Sequence, residues 1–292
     1  MSEIKVSSIS VFPIKSCAAV SLNKVMLTDH GLQNDRIYMV MPVVPFSEFV
    51  SQRVKPKMCR IFPTIDRDKL HVEADGMRTL TLPLQPVRGN YIQATVWKTP
   101  FECSRQSKES CEWFSHFLET ECWLVATHPE TMAVRTIDHG RKMKLACHDS
   151  SPVTGLSEAS FNHLATAVQR RERILRGANA LTSLSVDRFR SNLVYEGLRA
   201  FGEERGKGVI IGGYTALRFR KLVPRCAIIN VDQQTGERHP HNEPFGTLNC
   251  KEYRDTRRQT DEKIPLFGVY YVPFRQGEVQ GEIKVGDRVE IV

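Results

Sequence analysis

The chain has no apolar run approaching the roughly 20 residues a helix needs to cross a bilayer, so no membrane-spanning role is expected. Its start, Met1-Ser2-Glu3-Ile4-Lys5, lacks the charged beginning and apolar core of a signal peptide, which places the protein in the cytoplasm as an expectation. Cysteines stand at 17, 59, 103, 111, 122, 147, 226 and 250, but none forms a CxxC pair. That argues against zinc knuckles and thioredoxin-type exchange. At 292 residues the chain can bury real cores without disulfides, and the thiols read as mostly reduced and structural. Internal repeats and low-complexity tracts are missing too. The densest basic clusters, Gln169-Arg170-Arg171-Glu172-Arg173 and Arg254-Asp255-Thr256-Arg257-Arg258, are broken by acids and lack interleaved aromatics. They read as a solvated helix face and a loop, so no nucleic-acid partner is expected.

What is present is ordinary for a globular protein: 41% hydrophobic and 25% charged residues. Lysine and arginine total 41 against 33 acids, a net charge of +8 that favours anionic cofactors or acidic partners. Short strands dominate the first third. Ile4, Val6, Ile9 and Val11 lead to Pro13, which ends pairing. Leu70 and Val72, an Asp75-Gly76 turn, then Leu80, Leu82 and Leu84 predict a hairpin. Trp113, Phe114, Phe117 and Leu118 predict a helix over 108–121. Ser157 predicts an N-cap for a second helix running to about Arg171, with Phe161, Leu164, Ala165 and Val168 on one face. Strands return at 192–195, at the Gly212-Gly213 hairpin of 209–219, at 227–231, and in a last strand after Gly286-Asp287 expected to close a barrel. The fold class is therefore α+β and β-rich. A boundary in the 126–135 stretch divides the chain into 1–125 and 126–292.

Several segments carry chemistry. Cys226, in Pro224-Arg225-Cys226-Ala227-Ile228, is a thiol beside a cation, the setting that favours the thiolate and a soft metal. Lys15 and Ser16 follow Phe12-Pro13-Ile14. Asp35-Arg36 closes a turn. Arg188-Phe189-Arg190-Ser191-Asn192, read as extended, puts Arg190 and Asn192 on one side. The Ser151-Pro152 to Ser157 loop opens a helix N-terminus, where backbone N–H groups favour an anion. Guanidinium forks, amides and hydroxyls suit an anionic heterocycle. Read singly, each also fits an exposed cation, a surface ion pair, a simple cap or, for Cys226, a buried free cysteine acting as a small hydrophobe. Asp232 fits either a supporting role near the metal or ordering of the Thr235-Gly236 turn.

In this order, with Ser157-Glu158-Ala159-Ser160, Pro265-Leu266-Phe267-Gly268 and Val285-Gly286-Asp287-Arg288-Val289, the set resembles the MOSC family with its N-terminal β-barrel domain. Within it the chain is similar to the molybdenum-dependent amidoxime-reducing proteins and their bacterial relatives. The resemblance implies a molybdenum cofactor (Mo-molybdopterin) in a cleft between an N-terminal β-barrel-like domain and a C-terminal MOSC β-barrel domain. It implies Cys226 as the metal ligand and catalytic residue, with Lys15, Ser16, Arg36, Ser157, Arg190, Asn192 and Arg225 on the cofactor. The implied activity is reduction of N-oxygenated compounds such as amidoximes and hydroxylamines. A cofactor carrier or sulfur-transfer-associated role is the alternative. The chain shows no cysteine-rich ferredoxin extension, so the implied electron donor is a separate ferredoxin or b-type cytochrome with its reductase. Pro224 stands where relatives often carry a small hydroxyl, and Val153-Thr154-Gly155-Leu156 reads as more flexible than the usual apolar run. His148, Asp149 and His239 are candidate proton donors by residue type and position.

Overall fold

The computed structural model describes residues 3–44, 48–97, 99–136, 140, 142–177, 184–257, 264–274 and 281–292. Met1, Ser2 and Arg258, which figured in the readings above, lie outside them. The protein is strand-rich with few helices, as its short alternating segments imply. An eight-stranded sheet is its largest element, in the order Val20–Leu22, Lys5–Val11, Leu193–Glu196, Val153–Ser157, Leu266–Pro273, Thr215–Pro224, Gly208–Ile211, Val289–Ile291. Neighbours are antiparallel except Val153–Ser157 and Leu193–Glu196, whose parallel pairing uses the intervening helix as its crossover. The last strand meets the first through a Lys5–Arg288 bridge, and the Val289 N–H donates to the Ile4 carbonyl at 2.8 Å. The sheet thus curls toward closure around Val6, Ile9, Tyr195, Val209, Leu217, Val269 and Tyr271.

A second body holds a four-stranded sheet, ordered Tyr38–Pro42, Cys122–Ala126, Thr99–Arg105, Tyr91–Val96, and a meander of Phe62–Asp66, Lys69–Glu73 and Leu80–Pro83. The meander contains the hairpin predicted around Asp75-Gly76, with Leu70 opposite Leu82. Helix Lys108–Leu118 seals it. Ser107 caps this helix by accepting from the Ser110 N–H at 3.2 Å, and Trp113, Phe114 and Leu118 turn into the core. Each such side chain contributes about 1.5–3 kcal/mol on burial.

Helix Glu158–Arg176 begins at its Ser157 cap, as predicted, but runs five residues past Arg171. The apolar stripe ends at Val168. Beyond it the buried Glu172 carboxylate sustains the helix by pairing with Arg176 and with His241 at 3.2 Å. Arg171 pairs with Glu243, so this basic cluster is a helix face knit to the 239–249 segment.

Three local readings change. The 227–231 run is a short 3-10 helix, Ala227–Asn230, that buries Ile229 and Asn230. Val153–Ser157 is a fully buried central strand, not a loop; flanked on both sides, it shows no alternation. Arg188–Asn192 is not extended: a 3-10 turn, Val186–Phe189, ends at Arg190 in the left-handed region at φ 51°.

Candidate functional site

A cleft of about 110 Å³ gathers side chains from both bodies. Lys15, Ser16 and Arg36 come from the loops after the first strand and before Tyr38–Pro42. Arg190 comes from the turn after Phe189, and Arg225 and Cys226 follow the long strand Thr215–Pro224. His148, Asp149, Ser151 and Thr154 supply the wall leading into the central strand. Gly31, at φ +110°, lets its loop meet the Pro152 corner; a Cβ there would stand 2.6 Å from the Pro152 carbonyl oxygen.

The floor is built on Asp35. Its buried carboxylate accepts from the Phe12 N–H at 2.7 Å, from the Arg36 guanidinium, and from His148 Nε2 at 3.1 Å. Burial would raise this carboxyl, but Arg36 and His148 hold it below its ordinary value. Arg36 also reaches Asn192 Oδ1 at 3.2 Å. Arg36 and Arg190 both lie against the Phe12 ring, 4.4 and 4.2 Å from its centroid. Lys15 donates to the Cys147 carbonyl at 2.8 Å and to Asp149 Oδ1 at 2.7 Å, and the Trp97 indole donates to the same oxygen at 2.8 Å. Burial lowers the Lys15 ammonium, while Lys15 and Trp97 outweigh desolvation at Asp149 and hold its carboxyl low. Ser16, Arg36 and Arg190 all take left-handed backbone, at φ 69°, 51° and 51°. Such conformations cost about 1–3 kcal/mol each and tend to cluster at functional sites.

Besides Arg53 at the rim, two cations are left over. Arg190 bonds Gln233 Oε1 at 3.3 Å, and Arg225 donates to the carbonyls of Phe267 and Phe189, both at 2.8 Å. Neither pairs with a carboxylate among the described residues. Burial pulls both guanidinium groups down to about 10. Arg225 Nη2 is buried with no partner. It lies 3.2 Å from where a Cβ on Gly268 would stand, so glycine leaves that space open. The Cys226 thiol is half-buried at the cleft wall, and no side-chain cap bond ties it to the 3-10 turn that follows. Groups of three or more histidine, cysteine or acid side chains able to hold a metal are absent among the described residues. The site therefore offers excess positive charge and one soft ligand. It suits an anionic group that brings its own remaining metal ligands.

Asn192 and Ser157 stand behind the cleft and do not line it. Asn192 Oδ1 accepts from the Thr154 N–H and hydroxyl at 3.1 and 3.0 Å as well as from Arg36, and its Nδ2 donates to the Ser10 carbonyl. Ser157 Oγ is engaged with Ser160. Asp232 does two things: Oδ1 accepts the Gln234 and Thr235 N–H groups, and Oδ2 holds Arg188 at 2.7 Å. It joins the Arg190 turn to the Cys226 turn. His239 is away from the cleft and accepts the His241 N–H at 3.2 Å. Phe49, Arg53, Trp97 and Tyr270 also line the cleft, though no sequence pattern singled them out.

The MOSC N-terminal beta barrel domain family matches residues 3–121, and the MOSC domain family matches residues 142–290. The chain is 29% identical over 299 residues to the bovine "Mitochondrial amidoxime reducing component 2", covering 97% of this chain and 82% of that one. It is 30% identical over 300 residues to the human "Mitochondrial amidoxime-reducing component 1", covering 98% and 82%. Similarity extends to the bovine "Molybdenum cofactor sulfurase", 29% over 286 residues, which is 91% of this chain but 30% of that protein. No helix among the described residues is long and apolar enough to cross a membrane.

Proposed function

Because the chain belongs to the family that joins a MOSC N-terminal β-barrel domain to a MOSC domain, we propose that its cleft binds a molybdenum cofactor and that the protein reduces N-oxygenated compounds such as amidoximes and hydroxylamines. The observation that carries the reading is a pair of arginines without carboxylate partners, half-buried Arg190 and buried Arg225, beside the Cys226 thiol. An anionic pterin phosphate would supply the missing countercharge.

When bound, the cofactor supplies two-electron chemistry able to take oxygen from nitrogen. Cys226 offers a thiolate to the metal, since soft sulfur suits it. Lys15, Ser16, Arg36 and Arg190 grip the anionic part. Asn192 and Ser157 act from one layer back: Asn192 aims Arg36, and Ser157 fixes the helix start. Lys15, already matched by Asp149, contributes position more than net charge. Electrons come from a separate electron-transfer protein, a ferredoxin or b-type cytochrome with its reductase. The net charge of +8 favours an acidic one.

The test is molybdenum content and benzamidoxime reduction with a chemical electron donor, in parent and Cys226→Ser proteins. Near-stoichiometric metal and turnover in the parent, with turnover lost in the variant, is the expected result. Similarity to the cofactor sulfurase supports a second reading, a cofactor carrier, and metal without turnover would select it. A parent that takes up no metal in a host making the cofactor would overturn both.

A further inference from the structure

We propose that Trp97 and Arg53 form a substrate-recognition subsite at the mouth of the cleft, fitted to a planar aromatic compound that carries an anionic group. The inference rests on the reductase reading above and deepens it, by naming which N-oxygenated compounds the site prefers. Holding the cofactor leaves these two residues without a role, although both line the cleft.

Trp97 is held in place yet open. Its indole N–H donates to Asp149 Oδ1 at 2.8 Å, and its backbone N–H donates to Glu48 Oε2 at 3.3 Å. Its backbone sits in the left-handed region at φ 51°, where a bulky side chain is rare and where functional sites are over-represented. Despite these ties the residue stays 44% exposed, so packing in a core does not account for the ring. Phe49 continues the wall, edge-on to Trp97 with centroids 6.0 Å apart. A fixed aromatic surface at a cleft mouth suits a planar ligand, which can stack on it or meet it edge to face.

Arg53 adds charge to that wall. Its guanidinium carbon lies 4.5 Å from the Trp97 ring centroid and 5.7 Å from that of Phe49. Among the described residues its side chain makes one hydrogen bond, from Nε to Ser51 Oγ at 3.3 Å, and no carboxylate pairs with it. Its backbone is anchored: buried Gln52 donates to the Ser16 carbonyl at 2.8 Å, and Arg238 donates to the Arg53 carbonyl. Stacking fixes the guanidinium plane while its terminal N–H groups keep their capacity for an anion. The floor cations Arg36 and Arg190 lie over Phe12, so Arg53 belongs to a separate aromatic cluster. Asp149 is the one carboxylate lining the cleft among the described residues, and Lys15 already matches it. A half-buried guanidinium fork beside an aromatic face therefore reads a ring and a negative group together.

The experiment compares benzamidoxime with para-carboxybenzamidoxime, first as substrates with reduced viologen as electron donor. Both are then titrated into the oxidised protein while tryptophan fluorescence is read. The expected result is a kcat/KM roughly tenfold higher for the carboxylated compound, carried by KM, and a preference that shrinks in high salt. R53Q should lose that preference and R53K should keep most of it, both at the parent's molybdenum content. Quenching by the carboxylated compound should be lost in W97F, which marks Trp97 as the residue it meets. Equal kcat/KM for the two compounds in the parent would overturn the inference, as would an R53Q protein that keeps the preference or loses its metal, or quenching that persists unchanged in W97F. Should R53Q fail to fold, the parent's preference and its salt dependence decide. A metal-loaded parent that binds the carboxylated compound more tightly but reduces neither overturns the reductase reading and leaves the subsite standing.

Discussion

At the scale of single residues, Asp35 organises the cleft. One carboxylate fixes a backbone N–H, an arginine and an imidazole that belong to three stretches of chain. Asp35→Asn should cost about 3 kcal/mol, because it leaves Arg36 without its countercharge in a mostly buried site. Urea unfolding monitored by tryptophan fluorescence measures it. The folded Asp35 carboxyl lies below its ordinary 3.8, so its contribution is fully present above that value and is lost as pH falls through the folded value. The parent should lose stability more steeply than the variant in that acid window. Of this network only the Asp35–Arg36 pairing was legible from the sequence. Asp35 and His148 are 113 positions apart, and each alone fits a surface group. Cys226, Lys15, Arg36, Arg190 and Arg225 were named through the family resemblance, and the structure places them in one cleft. Trp97 and Arg53 were not. Trp97 sits at the tip of the hairpin joining Tyr91–Val96 to Thr99–Arg105, and only the fold carries it to the cleft, where Arg53 lies 4.5 Å over its ring.

At the scale of elements, the helix behind the cleft depends on a short polar chain. Ser157 Oγ accepts the Ser160 N–H at 3.1 Å and contacts Ser160 Oγ at 2.7 Å, and Ser160 Oγ donates to the buried Glu203 at 2.9 Å. Ser157→Ala should cost about 1–2 kcal/mol, read as a shift in the urea midpoint at unchanged slope. The cap was visible in the sequence because a hydroxyl residue just before an apolar 3.6-residue period has few other meanings. The strand that precedes it was not. Val153–Ser157 is covered on both faces and contains Gly155, where a Cβ would meet Tyr271 Cε2 at 2.6 Å. Alternation disappears from such a strand, and its glycine imitates a loop. The 227–231 run misled for the opposite reason: four apolar residues fit a strand or a turn of helix equally, and the backbone after Cys226 takes the helix.

At the scale of the whole molecule, the two bodies are not consecutive along the chain. Residues 5–32 pair and pack with 153–291, while most of 38–126 builds the other body. A fragment of residues 142–292 would lack Lys5–Val11, exposing the edge of Leu193–Glu196, and would lose Val6, Ile9, Val11, Val25, Leu27 and Leu32 from the shared core. It should aggregate or show no cooperative unfolding by circular dichroism, whereas co-expression with residues 3–136 should restore a soluble complex. Soluble, cooperative folding of the fragment alone would show that the first strands are dispensable to that sheet.

The bridge between Lys5 and Arg288 has one more consequence. Strands from opposite ends of the sequence lie side by side, with the Val289 N–H on the Ile4 carbonyl. Topologically the protein is close to a ring that happens to be cut there. A short peptide could seal that cut and new ends could open at the exposed Gly212-Gly213 turn, leaving the order of strands in space untouched while the order of genes for them is rotated.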